Sequence, residues 1–374
     1  MTGLSMERGL PEGYMAGGGS RKKSRQGKRI KKPKQHGGTA KHLLIERHAE
    51  YDNAAKKAAN ERFAQSPLPI GIPEDFEEPG YFSFEWENNP VSLKTESVLA
   101  AKVVRRGEFG WLPDDRVAEI GKMVDDLDMT LDQALSLRSA LLQQKTVYSH
   151  GQLQSRGKAI TRLYREGMSI VELSKKFDFP PMNVFRVVLK EMGWSKSRIK
   201  ETLRSPSKFK ERERNEFKSA EAADRVSNVD QSETHSRADL FEDILADWFE
   251  EQGVRVRRQG DMVKEQMKEH GRPVNTPDLL FLDHVEINGE PVAWIDAKHF
   301  YGADVNFQRK KIVKQAGRYV DTWGQGALVF RHGFCDNVHI PGTVLLDCGP
   351  LDLLSLIHIS SPRDRTRSRM PSSA

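Results

Sequence analysis

Along this chain apolar residues recur at helical spacing over three long stretches before they crowd to strand-like density in a fourth. From about residue 111, Val117, Ile120 and Val124, then Leu131, Ala134, Leu135, Leu137 and Leu141, fall at the three-to-four-residue intervals of helices with one apolar face. A tighter group follows. Ile160, Leu163 and Tyr164 mark one helix, broken at Gly167–Met168–Ser169, and Ile170, Leu173 and Phe177 mark a second. Asp178–Phe179–Pro180–Pro181 turns the chain, with Pro181 suited to a first helical position. The third helix directs Val184, Phe185, Val188, Leu189 and Met192 inward. A last stripe, Phe241, Leu245, Trp248 and Phe249 with Leu240 and Ile244, predicts a helix over 238–252.

The dense stretch is different. Leu279–Leu280–Phe281–Leu282 and Val292–Ala293–Trp294–Ile295 flank Asn288–Gly289, whose residues accept the positive φ of a tight turn. Leu280, Leu282 and Trp294 fall on one face and Leu279, Phe281 and Ile295 on the other, so this hairpin is expected at the centre of a sheet covered on both sides. A three-residue loop, Ile287–Asn288–Gly289, would pair Glu286 with Glu290 and set Asp278 opposite Lys298 and Asp296 opposite Leu280. Asp278, Asp296 and Lys298 then share one face, and a two-residue loop would put Asp278 on the other. Ile312, Ala316, Tyr319 and Trp323 predict a helix over 305–323 capped by Asp304, and strands follow at Ala327–Phe330 and Val344–Leu346. The C-terminal part is therefore expected to be a mixed α/β sheet flanked by helices, preceded by an all-α region.

Composition narrows the rest. Hydrophobic residues are 37% of 374, enough for a good core over part of the length. Two cysteines, Cys335 and Cys348, are too few for a disulfide framework. No run reaches the roughly 20 apolar residues of a membrane span, and the start of the chain lacks the apolar segment of a secretion signal. The net charge of +6 is unevenly spread. Arg21–Lys22–Lys23–Ser24–Arg25 and Lys28–Arg29–Ile30–Lys31–Lys32 form two basic clusters, read as a solvated tail, a nuclear-import signal or a phosphate-binding arm. The expected organisation is a mostly disordered basic and proline-rich region over 1–110, with a charged helix possible at 41–64 and loops at 65–95. A helical region over 111–205, a charged linker over 206–235 that starts as a helix, and an α/β domain over 236–352 follow. Residues 353–374 are expected to be a disordered tail, in which Ser360–Ala374 lacks periodicity and resembles cloning or read-through sequence. The 155–200 helices have helix-turn-helix spacing, which would present Asn183, Arg186 and Lys190 to nucleic acid; an ordinary three-helix bundle uses the same packing.

Charges inside a doubly covered strand pair need a reason, since an unpaired buried carboxylate is very costly. Two carboxylates and an ammonium converging at a strand end form a site for a divalent cation. Pro277–Asp278 followed by Asp296–Ala297–Lys298 resembles the PD-(D/E)XK nuclease signature. Thr276–Pro277–Asp278, the Trp294–Lys298 strand and Tyr301–Gly302 resemble more narrowly the codanin-interacting nuclease family. Gln315 and Tyr319 match the Gln-x-x-x-Tyr on the following helix of several such nucleases, and the likeness covers roughly 236–350. The resemblance implies a restriction-endonuclease-like fold and a metal-dependent nuclease acting on DNA ahead of RNA, with a codanin-like protein among its partners, and the basic clusters make the nucleus the expected compartment ahead of the cytoplasm. Asp278, Asp296 and Glu242 would hold Mg²⁺ or Mn²⁺, with Lys298 and Glu242 as catalytic groups steadied by Gln315 and Tyr319. Glu242 lies at the edge of its helix stripe between Ala238 and Ala246, and Glu251 is a second choice for it. The alternative is a catalytically silent nucleic-acid-binding or scaffold protein on the same fold.

Overall fold

A computed structural model describes residues 41–226 and 232–351. The basic clusters before residue 41 and the tail after 351 lie outside the described residues. In chain order the elements are α1 (Lys41–Glu61), β1 (Tyr81–Phe84), α2 (Leu93–Val103), α3 (Asp114–Val124), α4 (Leu131–Tyr148), α5 (His150–Ser155), α6 (Gly157–Arg165), α7 (Ile170–Phe177), α8 (Pro181–Glu191), α9 (Lys196–Arg204) and α10 (Glu211–Ala222). Then come α11 (Ser232–Glu251), β2 (Val256–Arg258), α12 (Gln259–His270), β3 (Leu279–Ile287), β4 (Glu290–Lys298), α13 (Asn306–Trp323), β5 (Gly326–Phe330) and β6 (Thr343–Leu346).

The hairpin β3–β4 is the centre of one mixed sheet in the order β1–β3–β4–β5–β6, with β2 also on β3. β3 and β4 are antiparallel, β4, β5 and β6 run parallel, and β1 joins β3 in parallel. Both faces are covered, as the two-parity pattern requires. Leu280 and Trp294 join one cluster with Ile312, Ala316, Tyr319 and Trp323 of α13. Leu279, Phe281 and Ile295 join the other with Phe241, Leu245 and Phe249 of α11.

The turn corrects the expected register. Ile287 pairs with Glu290, so the loop has two residues, Asn288 and Gly289, both at positive φ. Continued unbroken, that pairing would set Asp278 and Asp296 on opposite faces. The register shifts instead between Leu280 and Val285: Leu280 pairs with Trp294 and Leu279 with Ile295. Residues 281–284 of β3 thus stand against Ala293 alone, a surplus of three. An odd surplus reverses facing, so the next residues outward, Asp278 and Asp296, come opposite each other on one face. The expected bulge exists, but in β3 rather than at Gly289, and Asp278 faces Asp296 rather than Lys298.

Asp283 anchors the bulge. β2 pairs with β3 at 279–281 and β1 at 284–287, so the two strands share one edge of β3 and change over at Asp283. The buried Asp283 carboxylate accepts from the Gly80 N–H at 2.8 Å, the Arg255 N–H at 2.8 Å and the Arg255 guanidinium.

The region before residue 111 is more structured than its prolines suggest. β1 adds a strand, and α1 and α2 bury Tyr51, Ala55, Ala59, Leu99 and Val103 in the cluster that holds Trp294 and α13. α1 seats where Gly324, at φ +83, leaves room; a Cβ there would collide with the backbone of Ala55, Ala58 and Ala59. The Gln325 N–H donates to the Ala55 carbonyl at 2.9 Å. Charge count alone concealed this, because alanine spacing rather than large apolar residues makes the contact. The charged helix expected ahead of the linker is α10, whose Phe217 and Ala220 pack with Phe209 and Phe185 in a third cluster formed by α5–α10. Asp304 does not cap α13; it accepts from Arg309 and Asn337 instead.

Candidate functional site

Asp278, Asp296 and Lys298 are 7%, 2% and 7% exposed at the end of the central strand pair. Asp278 sits just ahead of β3, and its Oδ2 accepts from the Ala297 N–H at 2.7 Å. Its Oδ1 accepts from the Gln259 side-chain amide at 2.8 Å. Asp296 Oδ2 forms an ion pair with the Lys298 ammonium. Gln315 of α13 spans the pair, its Nε2 donating to Asp296 Oδ1 at 3.3 Å and its Oε1 accepting from Lys298 at 3.4 Å. Tyr319, one turn on, donates its hydroxyl to the Thr276 carbonyl at 3.1 Å and accepts from Gln315 Nε2 at 3.4 Å. The i, i+4 spacing on α13 therefore aims both side chains at the strand end.

Glu242 completes the charge cluster from the other face of the sheet. Its neighbours Phe241, Leu245 and Ala246 are buried under the sheet, which fixes the helix's rotation. Burial first, then Asp239 and Asp296, push the Glu242 carboxyl up to about 7 against the opposing pull of Lys298. Burial, followed by Asp296 and Glu242, holds the Asp278 carboxyl well above the usual carboxylate range, and Lys298 and the Ala297 N–H do not offset this. Three carboxylates thus share one ammonium.

Two facing buried carboxylates, with a third within electrostatic reach, leave a surplus of negative charge that one lysine does not cancel and that a divalent cation would offset. Among the described residues no three His, Cys, Asp or Glu side chains already converge to ligating distance. Lys298 and Gln259 hold the acidic groups in their place.

The structure brings together Asp278, Asp296, Lys298, Gln315, Tyr319 and Glu242. It leaves Glu251 exposed at the helix end. Asn183, Arg186 and Lys190 lie on α8, whose apolar residues help build the third cluster, and are not part of this site. There α8 is enclosed by α6, α7, α9 and α10; Arg186 is partly buried and donates to Asn183 Oδ1, and Lys190 is exposed and donates to Gln154 at 2.7 Å. The sequence reading missed Gln259. It lies 19 positions before Asp278, at the start of a helix with no motif around it, and no spacing rule points to it.

The family model described as "Protein of unknown function TPD sequence-motif" matches residues 209–348, beginning just ahead of α10. Uncharacterized protein L539 of Acanthamoeba polyphaga mimivirus is 31% identical over 116 residues, 30% of this chain and 40% of that protein. CDAN1-interacting nuclease 1 of Gallus gallus is 28% identical over 91 residues, 24% of this chain and 33% of that protein. The chain thus spans two-fifths or less of the length of these curated relatives. No solved structure matches it.

Proposed function

We propose that the chain is a metal-dependent nuclease of the PD-(D/E)XK kind that hydrolyses phosphodiester bonds, in DNA ahead of RNA. The observation that carries this is the facing of Asp278 and Asp296, two buried carboxylates on one sheet face beside a single lysine. The likeness to a protein named as a nuclease supports it. Asp278, Asp296 and Glu242 would hold Mg²⁺ or Mn²⁺, which when bound places positive charge on a phosphoryl oxygen and eases ionisation of water. Lys298 sets a fixed positive charge beside the attacked phosphate. Gln315 holds that lysine, and Tyr319 ties Gln315 to the Thr276 carbonyl. Glu242, poised near neutral pH, is the group able to accept or return a proton.

A second reading is a silent nucleic-acid-binding or scaffold protein, with a codanin-like protein as its partner. The observation favouring it is that Lys298 and Gln259 already occupy carboxylate oxygens a cation would need. Calorimetric titration of Mn²⁺ into wild type and Asp278→Ala separates the two. The nuclease reading expects binding lost in the variant and Mn²⁺-dependent cleavage across a panel of linear and branched DNA and RNA. Equal binding by both proteins would remove the proposed centre.

We also infer nuclear entry from the two basic clusters before residue 41. A fluorescent fusion lacking residues 1–40 should be cytoplasmic, and nuclear retention would overturn this. Of the helix-turn-helix candidates, Lys190 alone is exposed, and Lys190→Glu should weaken duplex binding if that helix contributes.

A further inference from the structure

Beside Lys298 a cavity of about 320 Å³ opens between α4 and α13. We propose that it receives one unpaired nucleobase, so that the substrate of the nuclease proposed above is a single strand, or a duplex end or branch with a free strand. Size sets the first limit. The volume lies at the small end of ligand pockets, room for one ring system rather than a stacked pair. A base can enter such a space only outside the double helix.

The lining sets the second. Phe300 and Phe307 provide aromatic surface, and every base presents a face that stacks on it. Gln308, also in the wall, donates its Nε2 to the Tyr301 carbonyl at 3.1 Å, which fixes the amide. Apart from Lys298 and Lys311 the lining carries no charge, so the space suits a neutral base, and the phosphates belong with those two cations.

The surrounding charge gives the strand a path. Lys311, Lys314, Gln315 and Arg318 lie at i, i+3, i+4 and i+7, on one side of α13, and the three cationic residues are exposed. Gln315 and Lys311 line the cavity, Lys311 resting on the Phe307 ring at 4.2 Å from its centroid. Phosphates on this row place the neighbouring base at the mouth and the next linkage toward Lys298.

The test uses the full chain in EDTA, so that binding is measured without cleavage. Anisotropy of fluorescein-labelled oligo(dT) and of a blunt duplex should give about a tenfold lower Kd for the single strand. Ser139→Trp fills the mouth from α4. It should weaken oligo(dT) about tenfold and the duplex less than about twofold, with an unchanged melting temperature. In wild type, a forked duplex carrying 2-aminopurine at successive free-strand positions should change in fluorescence at one nucleotide. This measurement decides the matter if Ser139→Trp fails to fold. Equal affinity for both probes, or a 2-aminopurine signal spread evenly along the strand, overturns the proposal. Single-strand preference without Mn²⁺-dependent cleavage leaves the pocket standing and removes the nuclease; cleavage without strand preference does the reverse.

Discussion

Two buried aspartates close in sequence, Asp283 within β3 and Asp278 just ahead of it, meet opposite fates. Burial raises the cost of charge at both. At Asp283 the Arg255 guanidinium, the Arg255 N–H and the Gly80 N–H overcome burial, and the carboxyl lies below its ordinary value. At Asp278 the donors are one backbone N–H and one neutral amide, while Asp296 and Glu242 add negative charge, and the carboxyl lies well above it. The first is a joint, holding β1 and β2 to one edge of β3. The second is an acid kept short of positive charge. A buried carboxylate with a full set of donors needs nothing further, whereas one facing other carboxylates has a use for a cation.

The sharpest way to separate these roles is Lys298→Ala. Phosphodiester cleavage should fall about 10²–10³-fold, roughly 3–4 kcal/mol in the barrier, while substrate affinity stays nearly intact. Affinity rests on many Lys and Arg contacts of modest worth, and catalysis needs one charge fixed beside the phosphate. Arginine should rescue poorly, because its planar fork does not fit where a compact ammonium sits. Single-turnover rates at the wild-type level would move the chemistry elsewhere in the chain.

Asp283→Ala should do the opposite. It strips three donors of their acceptor at the point where two strands change over, so stability to urea should fall by about 3 kcal/mol. Mn²⁺ affinity of the folded protein should not change. Asp278→Asn keeps the shape and an acceptor for the Ala297 N–H while removing a crowded charge. Its stability should hold or rise, within about 1 kcal/mol, and its Mn²⁺ binding should disappear. Were Asp278→Asn as destabilised as Asp283→Ala, the two acids would both be joints.

Much of this contrast was legible in the residues. The two-parity apolar runs announce a doubly covered hairpin, and Asp278, Asp296 and Lys298 stand out because charges are out of place there. The i, i+4 spacing of Gln315 and Tyr319 matches their hydrogen bonds to Asp296, Lys298 and the Thr276 carbonyl. Register was not legible. Asn288–Gly289 fits loops of two or three residues, and what restores the facing of the acids is a bulge secured by Gly80 and Arg255, both distant in sequence. Gln259 and the docking of α1 were hidden for the same reason: each depends on a contact between remote segments, with no local periodicity to betray it.

The smallest expected effect is a pH dependence that belongs to Glu242. Its carboxyl is raised from 4.5 to about 7, chiefly by burial and then by Asp239 and Asp296. The folded protein therefore holds this proton more tightly than the unfolded chain does. The stability from that proton is fully present below the unfolded value near 4.5 and is lost as pH rises through about 7. In a chelator, the melting temperature of wild type should decline across this window, and Glu242→Gln, which cannot ionise, should flatten part of the decline. A cation needs the carboxylates ionised, so Mn²⁺ affinity should climb over the same range and added Mn²⁺ should recover the loss at the alkaline end. Glu242 is partly exposed, and solvent screening keeps the shift to a few degrees at most. Parallel melting curves for wild type and Glu242→Gln at every pH would mean that Glu242 does not share the field of Asp278 and Asp296, and the acidic centre would reduce to the two facing aspartates.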